Sequence, residues 1–397
     1  MSLTVKPLDH PSFFLLTFEP LQPTTTSNAM ATPKLPPLKP FRVLLDPRVN
    51  DTARGPNLPA PGIASLLDLP EIDLVILTHS SRDTIHEPTI RDLPGRNSAL
   101  RTPPLVLAEH RVAGLVRGWD HFPKDRIRTI PVWRDPGLTS RDGVSRVQVP
   151  PFIPGGHTGE LTVALVPFAK TDTTRTGRAA AVGITYRPPP PGTAPRSPGA
   201  RGTGAALSVL FCPRGASYIS MAAFATGHLV AEAALPLTCL LHPFDEVTAP
   251  WWCPWGALRR TGAPEGCETA AALGARGWLW GQSIPAAKGA LKRRLVKTRK
   301  WKKREVVQAL YGVVQGKGKG RKTTVFRMGI GDEVVLTQEE ARGVPRKASV
   351  KAASGEGESG KEVSGEGESS AKAVSVVHTV GEAHGTDQPD GAEGNGN

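Results

Sequence analysis

Four cysteines, ten histidines and eight tryptophans are the side chains of this 397-residue sequence best suited to chemistry, and their spacing decides which chemistry is open to them. Cys212, Cys239, Cys253 and Cys267 never form a CxxC pair and are too few for a disulfide framework, so they read as reduced structural thiols. Cys239 lies inside LPLTCLLHPF, where a thiol on a buried strand acts as a small hydrophobe. No GxSxG follows a strand-like run and no cysteine stands beside a suitable histidine, which excludes the common nucleophilic hydrolase arrangements. Trp251, Trp252 and Trp255 crowd into APWWCPWGA, a group that serves either as a ligand lid or as an anchor for its own loop. The run PEGCETAAALGARG that follows opens a small-residue helix, whose first amides could hold an anion if they face a cleft.

Charge is concentrated in one place. The sequence has 49 Lys and Arg against 36 Asp and Glu, and residues 288–322 hold fourteen of those bases with a single acid, Glu305. The other residues balance at 35 of each sign, so the whole excess of +13 lies in that segment. Leu295, Trp301, Val306, Leu310 and Val314 are interleaved among the bases at spacings a helix can partly use. The segment favours phosphates, so nucleic acid or an anionic surface is an expected partner, and it also has the composition of a nuclear-localisation signal.

These residues have to be positioned by short elements. Gly and Pro, 42 and 39 in number, make up about a fifth of the sequence, well above the ordinary share, so much of it is expected to be loop. LTVKPL, SFFLLTF and FRVLLD read as strands, then DLVILTHS, then LVLAEHRVAGLVRGW as strand into helix. RIRTIPVW, SRVQVP, LTVALVPF, AAVGITYRP and ALSVLFCP continue in strand-like fashion, followed by LTCLLHPF, the helix ETAAALGARG and WLWGQS. Strands in series followed by alternating helices and strands indicate a layered α/β sandwich. The expected organisation is one domain over 1–312 with a Pro-rich surface loop at 187–204, a linker over 313–343, and an acidic low-complexity tail over 344–397 in which SGEGES occurs twice. No apolar run approaches a membrane span, and the first residues do not have the form of a secretory signal, so a cytoplasmic or nuclear protein is expected.

VLLDP (Val43–Pro47), a strand ending in THSSRD (Thr78–Asp83), VGITYRP (Val182–Pro188) and LLHPFD (Leu240–Asp245) together resemble the metallo-β-lactamase superfamily, and within it fungal members of the lactonase-like branch. The likeness spans roughly 1–310. It implies an αββα fold with a metal site at one edge, and a small-molecule ester, lactone or phosphoester as substrate. The superfamily motif HxHxDH follows a strand so that imidazoles and a carboxylate share one cleft and bind one or two metal ions. In this sequence His79 and Asp83 match it, Ser81 and Thr84 replace the other histidines, and His86 stands two residues beyond the motif's end. Against the DHCH-like pattern of the fungal members, Asp83 and His86 are both kept and Thr84 stands for the middle histidine.

The resemblance assigns His79, Asp83, His86 and Asp245 to the metal, with Asp83 orienting or deprotonating a metal-bound water, and zinc, one ion or none, as the cofactor. Asp46 would support the metal turn from behind. Asp245 would replace the family's bridging carboxylate; the plainer reading has Asp245 capping the next turn and His242 packed under the loop. Ala179 and Gln282 fall where further histidines are expected, and His157 in PGGHTGE precedes its strand and reads as a turn residue. A member without catalysis, retained as a binding or scaffold domain, is the competing expectation.

Overall fold

The computed structural model describes residues 1–10, 12–20, 39–49, 63, 65–78, 85–98, 101–137, 143–152, 155–169, 180–190, 206–248, 259–281, 295–315 and 323–337. Met1–Ser349 form one unit; a second, Val350–Asn397, lies outside the described residues. Within the first unit, one seven-stranded sheet consists of β1 (Ser2–Pro7), β2 (Phe14–Glu19), β3 (Phe41–Leu45), β4 (Leu74–Leu77), β5 (Leu105–Ala108) and β6 (Ile127–Thr129), in that order, with β17 (Val334–Thr337) outside β1. The strands from β17 to β3 are antiparallel and those from β3 to β6 parallel.

The second sheet repeats this division. From its antiparallel end it runs β7 (Ser145–Val149), β8 (Gly159–Val166), β9 (Ala181–Arg187) and β10 (Leu207–Phe211), then continues in parallel through β11 (Cys239–Leu241), β14 (Gly277–Gly281) and β16 (Thr324–Met328). A small third sheet joins β12 (Glu246–Thr248) to β13 (Arg259–Arg260) and β15 (Lys297–Arg299).

The parallel strands LVIL, LVLA and CLL are buried at every position, as expected for strands covered on both faces. Two helices cover the first sheet, α1 (Glu87–Arg91) and α2 (His110–Gly118). Successive side chains on a strand point to opposite faces, and the two faces enter different cores. Val43, Leu45, Leu74, Ile76, Leu105 and Leu107 join the core between the sheets, while Leu44, Val75, Leu77, Val106 and Ala108 pack with Ile90, Val112, Ala113 and Val116 of the helices.

The second sheet is covered by α3 (Tyr218–Phe224), α4 (Ala263–Leu273) and α5 (Lys303–Gln315). Close approach requires glycine at two contacts. A Cβ on Gly183 of β9 would lie 2.3 Å from the Phe224 ring, and one on Gly266 of α4 would lie 2.3 Å from the buried Trp278 of β14. α5 docks on α4 through Val306 and Leu310, with the Cys267 thiol donating to the Val306 carbonyl. The layers are therefore helix, sheet, sheet, helix, the αββα order expected.

Three expectations change. The stretch 313–343, read as a linker, contains β16 and β17, so the described domain reaches residue 337 instead of ending at 312. Short apolar runs beyond a Gly- and Lys-rich segment gave little sign of this; Val325, Met328, Val334 and Leu336 are nonetheless buried. The basic segment forms an exposed strand, β15, before its helix begins at Lys303. Helix α3, with the π turn Ala225–Leu229 that follows, was not anticipated.

Candidate functional site

The parallel strands β3, β4, β10 and β11 leave their sheets at loops carrying Asp46, Thr78, Arg214, His242 and Asp245. In open parallel sheets, ligands bind beyond such carboxyl ends. Asp46 has a left-handed backbone, φ 43°, and is almost wholly buried. Its carboxylate accepts the Thr78 backbone N–H at 2.8 Å and the Thr78 hydroxyl at 2.6 Å, and its own N–H donates to the Ile76 carbonyl at 2.9 Å. Asp46 thus ties the exit of β3 to that of β4, just before residues 79–84. His79 and Asp83 lie outside the described residues, as do Ala179, Gln282 and the three tryptophans of the 251–255 run.

His242 is fully buried. Its Nε2 accepts the Ala216 backbone N–H at 3.0 Å and its Nδ1 lies 2.9 Å from the Pro243 carbonyl, a pair of contacts that the neutral Nδ1–H tautomer satisfies. The ring meets Trp278 edge-on at 6.1 Å, and the Trp278 indole N–H donates to the His242 carbonyl at 2.9 Å. These contacts make His242 a packing and positioning residue beneath the loop. Asp245 accepts the Trp301 backbone N–H at 3.1 Å and lies 3.9 Å from the Arg327 guanidinium. The Trp301 indole donates to Glu246, and Arg299 stacks 4.1 Å above the Trp301 ring. Arg299 and Trp301 of the basic segment are therefore fastened beside this loop.

His86 begins α1: its Nδ1 accepts the Thr89 backbone N–H at 3.4 Å and lies 2.7 Å from the Thr89 hydroxyl. His157 lies two residues before β8, in irregular backbone that follows the turn at Gly155. Among the described residues no group of three or more His, Cys, Asp or Glu side chains is placed to hold a metal ion. Of the described histidines among the candidates, His242 has a backbone partner for each nitrogen, whereas His86 is engaged through Nδ1.

Cations gather at the same strand exits. Arg48 follows β3, Arg214 follows β10, Arg260 closes β13, and His10 occupies the turn between β1 and β2. The Thr261 N–H donates to the Arg214 carbonyl at 3.3 Å. Gly215, at φ +74°, presses so closely on Thr261 that a Cβ would lie 2.1 Å from the Thr261 carbonyl oxygen. Gly262, the N-cap of α4, abuts Phe244 and Asp245 in the same way. The backbones bearing Arg214, Arg260 and Asp245 thus form one wall, at which α4 starts with its positive end.

Electrostatic coupling joins the opposite side to this wall. Burial lowers the pKa of Arg214, opposed by Asp46; burial and then Arg214 lower that of Arg260, opposed by Asp245. Arg214 is exposed, although the protein packed around it lowers its pKa. Burial, followed by Arg48 and Arg260, pushes the His10 pKa down to about 4, against the pull of Asp46, so the ring is neutral at pH 7. Its Nδ1 lies 2.9 Å from the Ser12 hydroxyl. The hydrogen bonds of Arg214 and Arg260 to described residues are made by their backbones.

Sequence reasoning missed this group. The four residues are spread over 250 positions and no motif links them; the only cue is the turn PRG (Pro213–Gly215) directly after a buried strand.

No protein-family model matches the chain, and no curated protein matches it. Among solved structures it is similar to CmlA, a diiron beta-hydroxylase from Streptomyces venezuelae, at 16% identity and TM-score 0.45, covering 84% of this chain and 54% of that one. A point mutant of the same beta-hydroxylase gives 14% identity and TM-score 0.44, with 84% and 53% covered. The chain spans about half the length of these structures, and likeness at this level carries no inference about chemistry.

Proposed function

We propose that the chain is a metallo-β-lactamase-like domain whose strand-exit cleft binds a ligand without hydrolysing it. The observation that carries this reading is an exchange of side-chain types at the edge where the resemblance implies a metal. His242 is committed to backbone partners, His86 caps a helix, Asp46 and Asp245 hold neighbouring loops together, and Arg48, Arg214 and Arg260 stand at the same strand exits. Positive side chains raise the cost of a divalent cation and lower that of an anion. The αββα layering and the Asp46–Thr78 contact support membership of the superfamily, since both are what the resemblance implies.

The test is elemental analysis of the protein purified without a His tag, paired with its melting temperature in a chelator. The expected result is metal near zero per chain and an unchanged melting temperature. About one or two ions per chain, with turnover of an ester, lactone or phosphoester abolished in His79→Ala, would overturn the binding reading. It would restore a hydrolase in which His79, Asp83, His86 and Asp245 hold the metal.

A further inference from the structure

We infer that the surface formed by β15 and the start of α5 binds single-stranded nucleic acid, a role separate from the strand-exit cleft and independent of what the cleft binds.

The sequence concentrates its positive excess in 288–322, and the fold gives part of that segment a fixed form. β15 is an edge strand of the third sheet, held in antiparallel register against β12 with Lys297 opposite Thr248 and Arg299 opposite Glu246. The chain is then anchored at Trp301, whose backbone and indole N–H groups donate to Asp245 and Glu246, and enters α5 at Lys303. All of β15 is exposed, and so are Lys300, Lys302, Lys303 and Arg304. Six exposed bases thus fall within the eight positions 297–304, on backbone tied to the domain. Among the described residues none of the six forms an ion pair. The nearby acids are engaged with backbone and indole N–H groups: Glu305 accepts the Lys302 backbone N–H at 2.8 Å, Glu246 the Trp301 indole and Asp245 the Trp301 backbone. A surface that needs only solubility mixes both signs, whereas a row of one sign attracts a polyanion and displaces its counterions.

The neighbouring side chains select among polyanions. Arg304, Val307, Gln308 and Tyr311 share one face of α5, and all four are exposed. Tyr311, 64% exposed, offers a ring on which an unpaired base can stack beside the cations. Trp301 does not serve this purpose, because Arg299 covers its ring. A helix lying in a lipid surface presents a broad apolar face. The outer face of α5 has only Val307 and Tyr311 to insert, while Val306 and Leu310 are buried in the domain. On β15, Lys297 and Arg299 point to the same side about 6.6 Å apart, so their charges repeat along a line as those of a phosphate backbone do.

The experiment titrates the full-length protein into a fluorescein-labelled oligothymidylate of about 16 nucleotides, following anisotropy at several salt concentrations. A duplex of the same length and vesicles of phosphatidylserine and phosphatidylcholine are run in parallel. The oligothymidylate is expected to bind more tightly than the duplex, with an affinity that falls steeply as salt rises. The triple variant Lys297→Gln, Lys300→Gln, Lys303→Gln should bind at least tenfold more weakly and lower the salt slope by about 2, at about 0.7 per lost phosphate contact. Tyr311→Ala should weaken binding about fivefold and leave the salt slope unchanged. The replaced side chains are exposed, so both variants should keep the wild-type melting temperature, which shows that lost binding is not lost folding.

Binding that survives the triple variant but is lost when Lys317, Lys319, Arg321 and Lys322 are changed to Gln would overturn the inference and assign the contact to that later basic run. Duplex bound as tightly as single strand, or unchanged affinity in Tyr311→Ala, would overturn the single-strand assignment. Vesicle binding without oligothymidylate binding would overturn it in favour of an anionic lipid surface. The metal content of the protein bears on the cleft alone, so the non-catalytic reading and this one can fail separately.

Discussion

Replacing Asp46 by Ala should destabilise the protein by about 3 kcal/mol. The carboxylate makes two buried hydrogen bonds to Thr78, one from the backbone N–H and one from the hydroxyl. A hydrogen bond to a charged group contributes about 1.5–3 kcal/mol, and an orphaned buried N–H costs about 1–3 kcal/mol. The hydroxyl can rotate to another acceptor and the N–H cannot, so the lower part of the summed range is the better figure. Backbone geometry adds to the loss, because at φ 43° an Asp tolerates what an Ala does not. Asp46→Asn keeps an amide oxygen for the Thr78 N–H and a residue type at ease in the left-handed region, so it should cost about 1 kcal/mol. Urea unfolding monitored by circular dichroism, with the denaturant slope checked for constancy, measures both. Equal losses in the two variants would refute the reasoning, because they would show that the Thr78 N–H does not depend on this oxygen.

Two further predictions concern other parts of the molecule. The His10 pKa is lowered from 6.5 to about 4, so its contribution to stability is intact above pH 6.5 and lost as the pH falls from 6.5 through 4, where only the unfolded chain still gains a proton readily. The loss should be about 2 kcal/mol after allowance for the ring's partial exposure, and comparison of urea midpoints at pH 7 and 4.5 should show a smaller difference in His10→Gln than in the wild type. A chain ending at residue 312 should fail to fold cooperatively, whereas one ending at 338 should fold: removing Val325, Met328, Val334 and Leu336 forfeits burial of four side chains at about 2 kcal/mol each, comparable with the whole stability of a domain. A sharp thermal transition in the shorter chain would count against the extended boundary.

The central strands were legible because their signal is local. Runs such as LVIL and LVLA contain no polar residue and are flanked by turns, and they became parallel strands covered on both faces. β16 and β17 were missed because each is completed by a partner distant in sequence: β16 pairs with β14, and β17 with β1 at the opposite end of the chain. Of the candidate residues, Asp46 was readable as a strand-end carboxylate, and His242 as a residue packed under its loop. The cations could not be read this way. Arg48 and Arg260 act on His10 from 38 and 250 residues away in sequence, and a single arginine in a sequence says nothing about which other charges will face it.

Asp46 connects stability with charge, and the two effects of changing it have opposite signs. Its carboxylate attracts Arg214 while it accepts two hydrogen bonds from Thr78 on the neighbouring strand exit. A carboxylate held in this way offsets the positive potential of the cleft and leaves the Arg214 N–H donors available. If Arg214 were bonded directly to Asp46, its charge would be neutralised and its donors used up. Asp46→Asn should therefore weaken the fold modestly while strengthening the retention of an anion such as inorganic phosphate severalfold, because the competing negative charge is gone and the arginines are unchanged. Weaker phosphate binding in a variant that still folds would mean that Asp46 orients Arg214, in which case the guanidinium position, and not the net charge, sets affinity at this site.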